Sequence, residues 1–254
     1  MKPFVLVVVA GLAIVAYTQP GHAADLVVLS AAAVRAVVAD VPARFEQTTG
    51  NHVRFTFGTA GRIRDKVVTG EPVDIVIVPP LQLDDLMKRG LVVEGSRTDL
   101  GVIRLGVAVR AGAKQPSIAT AAEFKQALLD APSVGLADSA TGATTGVYFA
   151  KLLQRMGIAD ALRVKLKVYP DGSGAMEAVA RGEIALAAGQ ISEIKPVKGI
   201  DVVGPLPDEL QLKTIYSAGL AAKSASPEAA RALLKLLTSP EMSPIFRAGG
   251  FDQP

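Results

Sequence analysis

Short β-branched runs alternate with helical patterns along most of this chain, and that alternation constrains its fold more than any other feature. Strands separated by helices form a largely parallel sheet with helices on its faces, because a parallel crossover needs a connecting element that packs back on the sheet. Leu26–Ser30 reads as a first buried strand, Val53, Phe55 and Phe57 alternate as a second, and Asp74–Val78 forms a third, closed by Pro79 and Pro80. Between the first two lies a helix over Ala31–Thr49, with Val34, Val37, Val38, Val41 and Phe45 on one face, a kink expected at Pro42 and a stop at Gly50. Arg62–Thr69 and Leu81–Arg89 read as further helices.

The second half repeats the alternation. Helices are expected at Thr120–Leu129, Val147–Met156 and Gly174–Arg181, and strands at Ser133–Ala137, Lys165–Tyr169 and Ile184–Ala188. Val102–Arg110 reads as one long strand crossing between lobes, and Leu212–Ala222 as the return crossing. Ser226-Pro227-Glu228 opens a last helix, with Ser as cap and Pro in the first turn. The expected architecture is α/β and two-lobed: residues 24–104 plus 213–254 in one lobe, 105–212 in the other. Two crossings make a hinge, and the cleft between lobes is the place for a ligand.

Ahead of the first strand, Lys2 precedes an apolar run from Phe4 to Tyr17, followed by Gly21 and Ala23 at small-residue positions. That order predicts a secretory signal peptide over 1–23, cleaved near Ala23, and a periplasmic protein. The apolar run is shorter than the about 20 residues that span a bilayer. The chain has no cysteine and only two histidines, one of them in the leader, which excludes disulfides, thiolate chemistry and cysteine-ligated metals. No metal site and no cofactor is implied. A formal net charge of +3, dispersed along the chain, argues against nucleic-acid binding.

Four loops carry the functional expectation: Ser30–Ala33, Gly58–Gly61 followed by Arg62, Thr141–Gly146, and Asp171–Gly174. Each lies between the C-terminal end of a strand and a helix start, the edge at which open α/β sheets bind ligands. Small residues let backbone N–H groups approach closely, and helix N-termini favour an anion. Asp138 and Asp171 open two of these loops and are read as helix caps. His52 is read as a surface residue and Asp84-Asp85 as a solvated face.

These residues resemble the molybdate-binding family of periplasmic solute-binding proteins, through the stretches 29–50, 57–77, 144–158 and 176–187 and the C-terminal FRAGGF. The resemblance implies the type II periplasmic-binding-protein fold with two hinge strands, closure of the lobes on a ligand, and delivery to an inner-membrane ABC permease by a monomer. Carried over by position, it places Ala33 and Ala60 where the family commonly has serines, Gln190 where it has a tyrosine, and backbone donors at Thr145 and Gly172. Three ligand hydroxyls are thereby missing. Arg62, directly after the second loop, offers a planar fork suited to a carboxylate. Gly61, Thr59, Thr144 and Ser173 complete the expected shell.

The expected function is capture of a small anion, most consistent with an organic carboxylate, with molybdate or tungstate as the alternative. A sensing module on the same fold is a further alternative. Catalysis is not expected: the single mature histidine is poorly placed, and no nucleophile motif or metal cluster appears.

Overall fold

The computed structural model describes residues 23–253; apart from Ala23, the expected leader lies outside the described residues. From the N-terminus, β1 (Asp25–Ala31) passes through a 3₁₀ turn (Ala32–Val38) into α1 (Val41–Thr49), followed by β2 (His52–Gly58), α2 (Ala60–Val68), β3 (Ile75–Val78), α3 (Pro80–Lys88) and β4 (Thr98–Ile103). After β5 (Leu105–Arg110) come α4 (Ala121–Asp130), β6 (Val134–Ala137), a 3₁₀ turn (Ser139–Thr141), α5 (Thr144–Arg155), α6 (Ala159–Leu162), β7 (Leu166–Tyr169) and α7 (Gly172–Ala180). The chain then forms β8 (Leu186–Gln190), α8 (Ile191–Ile194) and β9 (Ile200–Pro205). It closes with β10 (Thr214–Leu220), α9 (Pro227–Leu237), α10 (Ser243–Ala248) and β11 (Phe251–Asp252).

The strands form two sheets, one of six in the order β11-β4-β10-β3-β1-β2 and one of five in the order β7-β6-β8-β5-β9. In the first, β1 runs parallel to β2 and β3, while β10 returns antiparallel between β3 and β4. In the second, β6 is parallel to β7 and β8, and β5 is antiparallel to β8 and β9. The α/β two-lobed architecture read from the sequence is the one observed.

The period of two along each strand divides the cores. Ile75 and Ile77 of β3 pack with Phe45 and Leu233 on one face, while Val76 and Val78 pack with Ile63 and Leu86 on the other. In the second sheet Val107 faces Phe124 and Phe149, and Ala108 faces Met176 and Val179. Each fully buried aliphatic side chain contributes about 1.5–3 kcal/mol of transfer free energy, so slipping a strand by one residue is strongly disfavoured.

Three local expectations need correction. Ala31–Thr49 is not one kinked helix: a 3₁₀ turn ends at Val38, and α1 starts afresh with Pro42 in its first turn, where a missing N–H costs nothing. Val102–Arg110 is not one strand either. It divides at Arg104, with β4 in the first sheet and β5 in the second. Ser226 holds the N-cap position of α9 but makes no side-chain cap bond. By contrast Thr120 and Glu123 form a full capping box on α4.

The two crossings are tied together by one amide. Gln211 accepts from the Leu105 N–H through Oε1 at 2.6 Å and donates through Nε2 to the carbonyls of Leu105 (3.2 Å) and Leu206 (3.0 Å). Arg104 pairs with Asp252 at 3.2 Å, anchoring the first crossing to the last strand.

Candidate functional site between the two sheets

The C-terminal ends of the parallel strands of both sheets point at each other, and the helices that follow them start there. Thr59 caps α2, its Oγ1 accepting from the Arg62 N–H. Asp171 caps α7, accepting from the Gly174 N–H at 2.9 Å, and Asp138 accepts from Ala140 N–H at 2.9 Å, the capping roles their positions suggest. The N-termini of α2, α5 and α7 therefore face one enclosed space, each bringing first-turn N–H groups that have no partner within the helix.

Ala33, Thr59, Ala60, Thr144, Thr145, Gly172 and Gln190 line this space, together with Asp171, Glu193 and Tyr216. Its volume is only about 20 Å³, enough for one or two water molecules. The lobes meet directly around it: Thr59 Oγ1 donates to the Thr141 carbonyl, and the Gly61 N–H donates to the Gly142 carbonyl at 3.1 Å. The conformation described is a closed one.

Three residues of the expected shell lie elsewhere. Arg62 is exposed and lines a separate outer groove, because the third position of α2 turns its side chain away from the enclosed space. Gly61 forms the wall between groove and enclosed space. Ser173 lines neither, since the first turn of α7 presents Gly172 instead.

Two residues that sequence reasoning missed dominate the chemistry. Glu193, in the first turn of α8, is buried, and its carboxyl rests on the Cα of Gly172; a Cβ there would lie 2.2 Å from Oε2. Burial raises the Glu193 carboxyl to about 7, and the neighbouring Asp171 charge adds to the rise. A hydrogen bond from the Gln190 backbone and the Arg35 charge oppose it. Arg35 itself sits over the Phe57 ring at 4.8 Å. Tyr216, on β10, is also buried and donates to Gln190 Oε1 at 3.0 Å; burial and the Glu193 charge raise its phenol above the ordinary value. Gln190 Nε2 and Thr144 Oγ1 are buried without hydrogen-bond partners, as are donors aimed at a ligand. The available signal for Tyr216 was a phenol within an otherwise apolar, small-residue strand, which requires a buried partner. Glu193 gave no such signal, since an acid in a first helical turn is ordinary.

The enclosed space thus combines three helix N-termini, neutral amide and hydroxyl donors, and one carboxyl poised to hold or release a proton near neutrality. Among the described residues no group of three His, Cys, Asp or Glu side chains is placed to hold a metal ion.

Residues 26–252 match the family of bacterial extracellular solute-binding proteins. This chain belongs to that family. A curated relative, the aconitate isomerase of a Pseudomonas species, is 37% identical over 232 residues, covering 89% of this chain and 86% of its own. Among solved structures, the periplasmic molybdate-binding protein of Azotobacter vinelandii superposes with a TM-score of 0.77 at 18% identity, over 90% of this chain and 99% of that one. The sulfate-binding protein SubI of Mycobacterium tuberculosis gives 0.73 at 17% identity, over 90% of this chain and 86% of that one. The resemblance to molybdate-binding proteins is borne out at the level of family and type II fold.

The expectation of a chain without catalysis is overturned by the Pseudomonas relative, an enzyme by name at 37% identity over most of both chains. The physical reason lies in burial. Acid–base work needs a histidine or a carboxyl with a shifted pKa, and such a carboxyl, Glu193 at about 7, exists only once burial in the folded chain has raised it.

Proposed function

We propose that this protein takes a small organic polycarboxylate of the aconitate type into the space between its lobes and moves a proton on it, with Glu193 as the base. The observation that carries this reading is Glu193 itself: a buried carboxyl raised to about 7, facing three helix N-termini. The 37% identity to an aconitate isomerase supports the substrate class.

The chemistry is simple to balance. A carbon–carbon double bond does not rotate freely, so cis and trans forms interchange through reversible loss of a proton. Ionised Glu193 removes a proton from the methylene carbon beside a carboxylate; the C–H bond breaks and an O–H bond forms. The electron pair spreads over the allylic carbons, and the charge is taken up on carboxylate oxygens held by the N–H groups of Ala60, Thr145 and Gly172. Glu193 then returns a proton, exchangeable with water while it sits on the carboxyl, to the far end of the allylic system, shifting the double bond and regenerating the carboxylate. A group near neutrality serves both halves of the cycle.

The enclosed space of about 20 Å³ is smaller than such a substrate, so entry requires the lobes to part and re-form around it. The family and fold also support a role in import: export to the periplasm as a monomer, capture of a carboxylate, and recognition of the closed form by an ABC permease. Proton NMR of cis- and trans-aconitate in D₂O tests the enzymatic reading. Interconversion with deuterium incorporation by the native protein, lost in Glu193→Gln, is expected; equal activity in both, or none in either, would overturn it. Calorimetry with aconitate and molybdate ranks the ligand classes.

A further inference from the structure

Outside the enclosed space lies a groove of about 860 Å³, formed by the start of α2, the Pro79–Gln82 turn, the Ser139–Thr144 loop and the return crossing at Leu212–Ile215. Two features show what it suits. First, its charges are unbalanced. Arg64 is paired with Asp65, but among the described residues Arg62 and Lys213 have no ion-pair partner, and both are exposed. Second, it holds hydroxyls without partners: Thr214 is 6% exposed and its Oγ1 is unpaired, as is Thr144 Oγ1. A hydroxyl buried without a partner costs about 1–3 kcal/mol, which a hydrogen bond to a ligand would offset.

The groove is also continuous with the site. Thr144 lines both spaces, and the wall between them consists of the closure contacts Thr59–Thr141 and Gly61–Gly142. When the lobes part, those contacts break and the two spaces merge. The enclosed space is lined by the carboxyls of Asp171 and Glu193 and by no cation, so Arg62 and Lys213 at this mouth are placed to draw a polyanion that the lining itself does not attract.

We infer that the outer groove is the entry site of the enclosed space: Arg62 and Lys213 hold carboxylates of an incoming polyanion at the mouth, Thr214 and Thr144 donate to it, and parting of the Gly61–Gly142 wall passes it inward. Two cations a short way from the destination raise local anion concentration and capture rate, an effect that falls with salt. This inference rests on the reading of the inner space as a carboxylate site.

The test uses propane-1,2,3-tricarboxylate, which has no double bond and cannot be turned over. Side-chain NMR resonances of Arg62 Nε and Lys213 Nζ, and the backbone amides of Thr145 and Gly172, are followed on titration of the full mature chain. Calorimetry of native protein and the Arg62→Gln/Lys213→Gln variant is run at 20 and 200 mM NaCl. Expected are shifts at both sets of groups, about tenfold weaker binding by the variant at low salt, and a flatter salt dependence. Shifts at the inner amides alone, with variant and native protein alike in affinity and salt response, overturn the entry site and leave the proposed function intact. Shifts at Arg62 and Lys213 alone support the groove as an anion site while overturning the proposed function. No shift at either set overturns both. Because both side chains are exposed, an unchanged melting temperature in the variant separates lost capture from lost fold.

Discussion

Tyr216, on the return strand of the first sheet, donates its phenolic hydrogen to Oε1 of Gln190, at the end of β8 in the second sheet, across 3.0 Å of buried interior. The bond joins the lobes and fixes the Gln190 amide so that its Nε2 is left as a donor toward the enclosed space. Tyr216→Phe keeps the ring packing against Phe251 but leaves Gln190 Oε1 without a donor. A stability loss of about 1–3 kcal/mol is expected, with weaker ligand binding. Urea denaturation and calorimetry on the same variant check both; unchanged values in each would show that Gln190 is oriented by something else.

Glu193 costs the fold stability. Its carboxyl stands at about 7 in the folded chain against an ordinary 4.5. Below pH 4.5 both states hold the proton and nothing is lost. As pH rises from 4.5 to 7 the unfolded chain releases it first, so stability falls, and above 7 the loss levels off at about 3 kcal/mol. Glu193→Gln has no proton to lose and is expected to match the native protein near pH 4 and exceed it at pH 8. Denaturation midpoints at pH 4, 6 and 8 provide the comparison; parallel pH dependences would contradict the buried position.

Ligand uptake is expected to consume protons. Near pH 7 Glu193 is about half ionised, and a bound polyanion beside it and Asp171 raises its value further, with Arg35 opposing. Affinity for a tricarboxylate then increases as pH falls from 8 to 6, by up to about tenfold. Calorimetry in buffers of different ionisation heat reads the proton count directly. Zero net uptake at pH 7 would remove Glu193 from the binding site.

Closure depends on two glycines. A Cβ on Gly61 would lie 2.7 Å from Gly142 Cα, against backbone with no flexible side chain to give way. Gly61→Ala is expected to hold the lobes apart, enlarging the radius of gyration in small-angle scattering and lowering ligand affinity tenfold or more. The substitution favours α2 itself by about 1 kcal/mol, since alanine is the better helix former. Loss of closure would therefore appear without loss of fold. An unchanged radius and affinity would place the closing contact elsewhere.

Much of the scaffold was legible in the sequence. The buried runs at Leu26–Ser30 and Asp74–Val78, the alternation at Val53–Phe57, the stop at Gly50 and the small-residue loops at strand ends are local signals, and local physics decides them. Where tertiary context overrides local pattern, reading failed. Val102–Arg110 looks like one strand because nothing in its composition marks Arg104 as the point where the chain leaves one sheet for another. Ile200–Pro205 becomes β9 only by pairing with β5, and α8 is too short to announce itself.

The site divides in the same way. The sequence by itself determined that helix N-termini with small residues would meet at a sheet edge and favour an anion, because strand ends, caps and glycines are written within a few residues of one another. Only the tertiary structure decided that Arg62 faces outward to a groove and that Glu193, Gly172, Gln190 and Tyr216 converge on one buried point. Those residues come from four different elements of two lobes. The proton affinity of a carboxyl is set by the water excluded from it and the charges beside it, and both exist only once the lobes are folded against each other.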